Sequence, residues 1–398
     1  MSFRPGRHFL HIPGPGPIPD RVLRAISMPV VDQRSAEFGQ FARDLLDASR
    51  AVFKTSGKVL IFPSSGTGAW EAGIVNTLSP GDKVLMVETG HFAATWQKLA
   101  ARWGLDVINL VTDWRRGADP AEIEARLVED RDHSIKAVMV VHNETATGAM
   151  SRVAEIRKAI DKARHPALYM IDAISSLGSA DVRHDEWGVD VTVAGSQKGL
   201  MLPAGLSLVA VSEKALTANK MAKLPRSYFD WQSMLSSNAA GFFPYTPAVN
   251  LLYGLKESLS MLQEEGLPNV FLRHLRLAAA TRAAVRAWGL EVLCEEKLDY
   301  SPTVTAVLLP PRHDADRFRQ IALDNYNISL GMGLSKVAGK VFRIGHLGDT
   351  NALSLVGALG GVEMALADAG IPHQKGGVTA ALEVLSVSGQ SGAAAAVA

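Results

Sequence analysis

Short apolar runs rich in β-branched residues alternate with longer amphipathic stretches between about residues 36 and 215 of this 398-residue chain. This alternation is typical of a mostly parallel β-sheet covered by helices. The predicted strands are 59–62, 83–87, 106–110, 137–141, 168–171, 191–194 and 206–211, and the helices between them include 68–78, 92–103 and 120–129. We therefore expect an α/β fold whose large domain is built on a mostly parallel sheet.

The pattern changes after Pro247, where two long helical stretches, 248–265 and 269–288, are each followed by a glycine of the kind that ends helices. Beyond them the sequence predicts strands at 304–309 and 340–344 and helices at 315–326 and 353–369, typical of a smaller α+β unit. The predicted division is an N-terminal arm at 1–21, a large domain at 22–265, a small C-terminal α+β domain at 266–385 and a flexible tail at 386–398.

Charge and cysteine content exclude several classes of function. Lys and Arg number 41 against 40 Asp and Glu, and no basic cluster is present, so we expect no nucleic-acid partner. The single cysteine, Cys294, rules out an intramolecular disulfide framework and a zinc site built on paired thiolates, and no metal-ligand spacing occurs. No apolar run reaches the roughly 18 residues of a membrane span, and the proline-rich start is not a signal peptide. We therefore predict no membrane partner and a cytoplasmic location.

A loop of small residues follows the first predicted strand, with the sequence FPSSGTGAWE at 62–71. Small residues let backbone N–H groups approach an anion at a helix N-terminus, and Ser65 and Thr67 add hydroxyl donors. A phosphate group is therefore the expected ligand. A flexible turn capped by Ser or Thr is the alternative interpretation. The loop matches neither the P-loop motif nor the dinucleotide-binding glycine fingerprint.

Three charged residues lie at or within predicted strands. Asp172 ends the apolar strand LYMID, where it could also be a simple turn or helix cap. Lys198 follows the strand VTVAG, and partial desolvation there would lower its pKa and free the amine for a Schiff base, although most lysines are solvated surface charges. Arg343 lies inside an apolar strand of the small domain, and its planar guanidinium suits a carboxylate.

An anion-binding loop, a strand-end Asp, a strand-end Lys and an Arg on a second domain together are typical of a pyridoxal-phosphate enzyme that acts on amino acids. The chain resembles the class V aminotransferases, and within them most closely the serine–glyoxylate and alanine–glyoxylate enzymes, from about residue 5 to 376. The blocks that carry this resemblance are SGTGAWE (65–71), HNETATG (142–148), DEWGVD (185–190), GSQK (195–198), PYTP (244–247) and VAGKVFRIGHLG (337–348).

The resemblance implies a fold-type I enzyme that carries pyridoxal 5'-phosphate as a Schiff base on Lys198. In that family the residue matching Lys198 also moves the substrate Cα proton, and the residue matching Asp172 pairs with the pyridine nitrogen of the cofactor. An aromatic ring stacks on the cofactor at the position of Phe92, although the match leaves a choice between His91 and Phe92. A helix residue that faces the core is the alternative role for Phe92.

The remaining cofactor contacts implied by the resemblance are Ser65, Gly66, Thr67, Thr145, Ile174 and Gln197. Tyr245 and Thr246 match a loop that relatives contribute to the phosphate of the neighbouring subunit, which implies a homodimer with active sites at its interface. Phe243 stands where the alanine–glyoxylate enzymes have a phosphate-binding tyrosine, so it lacks the hydroxyl that would donate there. The stretch PGPG at 13–16 resembles an arm that closes over the substrate, or is a plain extended linker.

The expected reaction is ping-pong transamination from L-serine to glyoxylate, giving hydroxypyruvate and glycine, with Arg343 binding the carboxylate of each substrate. The choice of serine depends on the block SYFDW at 227–231, which resembles the serine-using members. Alanine or aspartate as donor are the alternatives, and aspartate would call for another cation such as Arg34 or Arg226.

Two alternatives lie outside transamination. The first is a non-catalytic α/β protein that binds a phosphate ligand, which would leave Lys198 without a role. The second is a cysteine desulfurase, which needs a nucleophilic thiol, whereas Cys294 lies in the small domain and is expected to be buried. His142 either faces the cofactor or is a structural histidine bonded to the backbone.

Overall fold

The structure is a computed structural model, and it describes residues 5–386. The predicted flexible tail therefore lies outside the described residues, except for Ser386. Within the described range the strands are β1 Phe9–His11, β2 Lys58–Ser64, β3 Lys83–Glu88, β4 Asp106–Val111, β5 Ile135–Val141, β6 Asn143–Glu144, β7 Ala149–Met150, β8 Leu168–Asp172, β9 Val191–Gly195, β10 Gly205–Val211, β11 Glu291–Val292, β12 Val304–Leu308, β13 Ile328–Met332 and β14 Val341–Gly345.

The helices cover both faces of the larger sheet and one face of the smaller one. They are α1 Asp20–Ile26, α2 Ala36–Phe53, α3 Gly66–Thr77, α4 His91–Arg102, α5 Pro120–Glu129, α6 Val153–Lys162, α7 Glu213–Met221, α8 Trp231–Ala239, α9 Val249–Glu265, α10 Leu267–Ala287, α11 Ala315–Tyr326, α12 Ala352–Asp368 and α13 Gly377–Ser386. None of the helices in residues 5–386 has both the length and the apolar character needed to cross a membrane.

The larger sheet has the strand order β2-β10-β9-β8-β5-β3-β4. The pairs from β9 to β4 are parallel, and β10 runs antiparallel to both β2 and β9. Successive residues of β5 alternate between two apolar layers: Val138 and Val140 pack into one, Met139 and Val141 into the other. This double burial explains why the strands of this sheet are continuous apolar runs, and it confirms the predicted α/β fold.

The smaller sheet has the order β1-β13-β14-β12-β11 and packs one face against α10, α11 and α12. Its edge strand β1 comes from the N-terminal arm and pairs in parallel with β13. In β14, Phe342 and Ile344 point into the core of the small domain. Since strand side chains alternate, Arg343 between them points the other way, toward the large domain.

The predicted strands of the large domain are all observed, and the helices α5 and α11 have the predicted bounds. The prediction missed α2, because it assigned no element before residue 59, and it missed β1 and β13. β1 is only three residues long and β13, ISLGM, contains a glycine, so neither has the length or composition of a typical strand. The predicted domain boundaries remain a prediction, with the addition that residues 9–11 join the small sheet.

Candidate active site

Six strands of the larger sheet, β2, β3, β4, β5, β8 and β9, run in the same direction, so their carboxyl ends lie along one edge. A cavity of about 200 Å³ opens at this edge, below the roughly 300–1,000 Å³ of pockets for drug-sized ligands. Its lining includes predicted residues from loops far apart in the chain: Ser65, Gly66, Thr67, Phe92, Thr145, Asp172, Ile174, Gln197 and Lys198. The cavity also contains Gly14 and Pro15 of the N-terminal arm.

Lys198 lies just beyond the end of β9 and is 7% exposed. Its Nζ donates a hydrogen bond to the backbone carbonyl of Pro13, so the arm lies directly over the amine. Burial, together with the nearby positive charge of Arg343, lowers the pKa of Lys198 to about 8. Near pH 7 roughly one amine in ten is then neutral, far more than for an exposed lysine.

Asp172 ends β8 and is 4% exposed. Its Oδ1 accepts a hydrogen bond from the backbone N–H of Ile174 at 2.7 Å, and its Oδ2 accepts one from the indole Nε1 of Trp70 at 2.9 Å. Burial is the main cause that raises the pKa of Asp172 to about 7, although both hydrogen bonds favour the ionised form. A cation placed beside this carboxylate would remove the energetic cost of its charge.

The predicted phosphate loop forms the start of α3. Ser65 is the N-cap in extended conformation, and no side chain caps the helix, so the first N–H groups remain available to an anion. An added Cβ at Gly66 would lie 2.4 Å from Cδ1 of Ile174, so a larger residue there would require the Ile174 side chain to move. Ser65 and Thr67 line the same end of the cavity.

Phe92, and not His91, lines the cavity. Both belong to the first turn of α4, but the His91 ring turns toward the small domain, where its Nδ1 lies 2.8 Å from Oγ of Ser335. Of the two residues that the resemblance left open, this placement favours Phe92 over His91. Its role as the stacking aromatic stays a prediction.

The other lining residues lie where the resemblance predicts cofactor contacts. The hydroxyl of Thr145 is hydrogen-bonded to that of Ser175, and both residues line the cavity. Oε1 of Gln197 and Oδ1 of Asn143 are buried and have no hydrogen-bond partner among residues 5–386. Buried acceptors are normally satisfied, so these two oxygens indicate a ligand that donates hydrogen bonds.

Pyridoxal phosphate fits this set of groups. N–H donors and two hydroxyl groups at the start of α3 suit its phosphate, the carboxylate of Asp172 suits its ring nitrogen, and the unsatisfied oxygens suit its polar substituents. Lys198, on the same cavity, has an amine that suits its aldehyde. No group of His, Cys, Asp or Glu within residues 5–386 is arranged to hold a metal ion.

Arg343 lies beside the cavity without lining it, and it is 6% exposed. Its Nε donates to the carbonyl of Met332 at 2.7 Å and its Nη1 donates to the carbonyl of Thr145 at 2.9 Å. These two bonds hold the guanidinium plane between the two domains. Burial lowers its pKa to about 10, so the group stays positive at neutral pH and is prearranged for an anion.

Tyr245 and Thr246 do not line the cavity of their own chain. The Tyr245 ring stacks on Tyr228 with centroids 4.3 Å apart, and its hydroxyl is buried with no partner among the described residues. Oγ1 of Thr246 accepts a bond from Gln33 at 3.4 Å. Their predicted contribution to the site of a neighbouring subunit stays a prediction.

His142 and Cys294 both lie away from this cavity. Nδ1 of His142 is 2.9 Å from the hydroxyl of Ser176, and burial lowers its pKa to about 4, as expected for a neutral structural histidine. The thiol of Cys294 is buried and donates weakly to backbone carbonyls, and burial raises its pKa to about 12. It is therefore unsuited to act as the nucleophile of a desulfurase.

Sequence reasoning assigned no role to Trp70 or Glu144, although both belong to motifs it quoted. Trp70 lies one helical turn after Gly66 and Thr67, and that i, i+3 and i, i+4 spacing could have placed it on the face of α3 that meets the cavity. Glu144 accepts hydrogen bonds from the N–H groups of Phe92 and Ala93 in α4, which precede it in the chain by 52 and 51 positions. The sequence carries no local signal for contacts over such a separation.

A family profile described as aminotransferase class-V matches residues 20–347. Serine–glyoxylate aminotransferase from Methylorubrum extorquens is 51% identical, and the alignment covers 96% of this chain and 97% of that protein. L-aspartate–glyoxylate aminotransferase from Paracoccus denitrificans is 47% identical, with 94% of this chain and 95% of that protein covered. The two relatives differ in the amino donor that their names state.

The fold is similar to that of solved aminotransferases. Pyridoxamine–pyruvate aminotransferase from Mesorhizobium loti superposes with a TM-score of 0.90 at 28% sequence identity, covering 97% of this chain and 99% of that one. The similarity spans both sheets and both domains. The comparison therefore extends to the whole arrangement described above.

Proposed function

The chain belongs to the class V aminotransferases and is a pyridoxal-phosphate enzyme of fold type I, and on this premise we propose that it transfers the amino group of L-serine to glyoxylate. The products are hydroxypyruvate and glycine, formed in two half-reactions of a ping-pong sequence. The observation that carries the proposal is the pair of buried cations, Lys198 at the cavity and Arg343 beside it. Lys198 provides the reacting amine, and Arg343 suits a substrate with a single carboxylate.

Pyridoxal phosphate, when bound, supplies an aldehyde that condenses with amines and a ring that withdraws electrons from the substrate Cα. The N–H groups at the start of α3 bind the phosphate, and Asp172 holds the ring nitrogen in its protonated form. Trp70 and the N–H of Ile174 fix the two oxygens of Asp172 in place. Phe92 closes the cavity on one side.

Lys198 is the group that moves the proton. Once the substrate amine has displaced it, its Nζ is a free amine with a pKa lowered by burial, and it accepts the proton from the substrate Cα as general base. The carbonyl of Pro13, in the N-terminal arm, accepts a hydrogen bond from this amine and orients it. Gly14 and Pro15 lie over the cavity and exclude water from the reacting carbon.

A substrate with one carboxylate suits this site better than one with two. Arg343 is oriented by two carbonyl groups, so its remaining N–H groups can form a paired contact with a carboxylate. Among the described residues, Lys198 is the only lysine or arginine that lines the cavity. Arg34 and Arg226 do not line it. Arg226 is held by Asp230 and backbone carbonyls. This supports serine over aspartate, the donor named in the relative from Paracoccus.

The test is a matrix of amino donors and acceptors with purified enzyme. L-serine, L-alanine and L-aspartate are each paired with glyoxylate, pyruvate and hydroxypyruvate, and kcat/KM is measured for every pair. We expect serine with glyoxylate to be fastest and to give parallel lines in double-reciprocal plots. A faster reaction with aspartate or alanine would refute serine as the donor and leave the transamination chemistry in place.

The role of Lys198 is tested by chemical trapping. Borohydride should bleach the visible absorbance of the holoenzyme and leave one stable adduct, on the peptide that contains Lys198. Lys214 is a suitable internal control, because its Nζ is bonded to the carbonyl of Ala167 and to Asp190, away from the cavity. An adduct on another lysine would exclude the assigned role of Lys198.

The proposal includes a homodimer in which Tyr245 and Thr246 complete the site of the partner. The exposed apolar residues Met28 and Val30 support it. Mixing the inactive Lys198→Ala chain with a chain carrying Tyr245→Phe and Thr246→Val should restore activity, since one site of the mixed dimer has both Lys198 and an intact loop. Failure to restore activity after confirmed subunit exchange would argue that the loop acts within its own chain.

The proposed compartment is the cytoplasm. Cys294 is a free, buried thiol, which is typical of proteins in a reducing compartment. Fractionation of the source cells with an antibody against the protein would check this, and recovery with a membrane or an oxidising compartment would refute it.

A further inference from the structure

Glu144 is a fully buried carboxylate, 0% exposed, that the reaction described above does not use. It lies on β6, three residues beyond the end of β5, and forms no ion pair within the described part of the chain. Its Oε1 accepts from the N–H of Ala146 at 3.0 Å and its Oε2 from the N–H of Ala93 at 3.0 Å. The N–H of Phe92 lies between the two oxygens, at 3.3 and 3.1 Å.

These contacts make Glu144 the cap of α4. The residue before the helix is Gly90, which has no side chain to accept the first N–H groups. An added Cβ at Gly90 would lie 2.3 Å from Cγ of Glu144, so the glutamate occupies the space that a local cap would need. The carboxylate thereby holds the turn that carries Phe92, whose side chain lines the cavity.

The same carboxylate is a fixed charge close to the reacting groups. Burial lowers the pKa values of Arg343 and Lys198, and Glu144 opposes that lowering; burial raises the pKa of Asp172, and Glu144 adds to that rise. Burial raises the pKa of Glu144 itself, while its three N–H donors and Arg343 oppose that shift. Both of its oxygens already accept N–H groups, so the geometry favours the ionised form, because a proton on either oxygen would compete with those donors.

We propose that Glu144 is a positioning residue of the active site: its ionised carboxylate holds Phe92 at the cavity and offsets part of the positive charge of Arg343 and Lys198. This rests on the proposed function of those residues. The negative charge weakens the anion site at Arg343 enough for a product carboxylate to leave, and it stabilises the protonated form of the nitrogen on Lys198.

The chain offers two variants that separate charge from geometry, and a matched control. Glu144→Gln keeps the reach of the side chain and loses the charge, whereas Glu144→Asp keeps the charge and shortens the reach. Glu363 is the control: its carboxylate accepts the N–H groups of Gly376, Gly377 and Val378 at the start of α13, in the small domain and away from the cavity. Glu363→Gln should therefore reproduce the loss of a cap without the loss of a charge near the site.

Two measurements are made on purified holoenzyme, with acetate as the anion. The first is the pH at which the visible absorbance of the bound cofactor titrates, and the second is the Kd of acetate from the absorbance change it causes. The charged and titratable groups around the titrating nitrogen and the acetate site are Arg343, Asp172, Glu144, His91 and Arg319. Burial and Arg343 lower the pKa of His91, which favours its neutral form.

For Glu144→Gln we expect the titration midpoint to fall by about half a unit to one unit and acetate to bind about threefold to tenfold more tightly. Glu144→Asp should keep both values near wild type but weaken the visible circular dichroism of the cofactor, because Phe92 is less firmly held. Glu363→Gln should lower Tm by a few degrees, as Glu144→Gln also does, and change neither spectroscopic value.

The proposal is wrong if Glu144→Gln lowers Tm but leaves the titration midpoint and the acetate Kd at their wild-type values, because Glu144 would then be a structural cap like Glu363. It is also wrong if Glu144→Asp shifts the midpoint as far as Glu144→Gln. A wild-type protein without visible absorbance after addition of cofactor would instead refute the proposed function, so the two failures are distinguishable.

Discussion

The two sheets contribute to the active site in different ways. The larger, mostly parallel sheet brings the carboxyl ends of six strands to one edge, and the loops that follow supply nearly all the groups around the cavity. The smaller, mostly antiparallel sheet contributes Arg343 from the middle of a strand, where backbone carbonyls of both domains orient it. In the proposed function, the larger sheet therefore carries the groups for the chemistry and the smaller sheet carries the group for substrate recognition.

The largest effect that tests this division is expected for Asp172→Asn. The amide cannot balance a protonated ring nitrogen, so kcat should fall by about a hundredfold to a thousandfold while the cofactor stays bound. Asp190→Asn is the control, since Asp190 is also 4% exposed and accepts the N–H of Tyr169 but lies away from the cavity. Steady-state kinetics and visible spectra distinguish the two. Near-normal turnover in Asp172→Asn would mean that another group manages the ring nitrogen.

Arg343→Lys should change KM, whereas Asp172→Asn should change kcat. Loss of the planar guanidinium should raise the KM of serine and glyoxylate by about tenfold to a hundredfold and leave the cofactor spectrum unchanged. Arg282→Lys is the matched control, because Arg282 is similarly buried, at 7% exposed, and also donates to a backbone carbonyl. If Arg343→Lys changed the cofactor spectrum and left KM unchanged, the smaller sheet would not be the part of the molecule that recognises the substrate.

The carboxyl group of Asp172 also predicts how the cofactor-free protein responds to pH. Burial raises its pKa to about 7 in the folded chain from 3.8, so the folded state binds more protons than the unfolded state between these values. The free energy of unfolding therefore falls as pH rises through this window. Above pH 7 the cofactor-free Asp172→Asn protein should be more stable than wild type by about 2 kcal/mol, less than the roughly 4 kcal/mol of the full shift, because the amide leaves one N–H donor unsatisfied.

Chemical denaturation of the two cofactor-free proteins at several pH values measures this difference. The difference should shrink and then reverse as the pH falls toward 4, because the carboxyl group of the folded protein is then neutral and only the unsatisfied N–H donor of the Asp172→Asn protein, a cost of up to about 2 kcal/mol, still separates the two. A constant difference across the range would show that the side chain is ionised in the cofactor-free fold.

Trp70→Phe should have the smallest effect, a reduction of kcat by up to about tenfold, since the N–H of Ile174 still holds the other oxygen of Asp172. Trp96→Phe is a close control: its ring stacks on Trp70 at 5.8 Å, and its indole N–H has no partner among residues 5–386. Equal losses in both variants would mean that Trp70 acts through packing alone.

Much of the larger sheet was predictable, because a strand buried on both faces must be a continuous apolar run and the residues after it must be polar. Asp172 and Lys198 carry that signature, and the structure brings them to the same cavity. The smaller sheet was harder to predict. Its strand β13 contains a glycine and its strand β1 comes from the arm, so neither resembles a strand until its partner is present.

By itself the sequence determined the α/β class, the anion-binding loop and the charged residues at the ends of buried strands, since these follow from local composition and spacing. Only the tertiary structure decided that Phe92 rather than His91 lines the cavity, that Trp70 bonds to Asp172, and that Glu144 caps α4. These outcomes depend on contacts between residues far apart in the chain. Such contacts form only when the elements pack together, and no local sequence pattern predicts them.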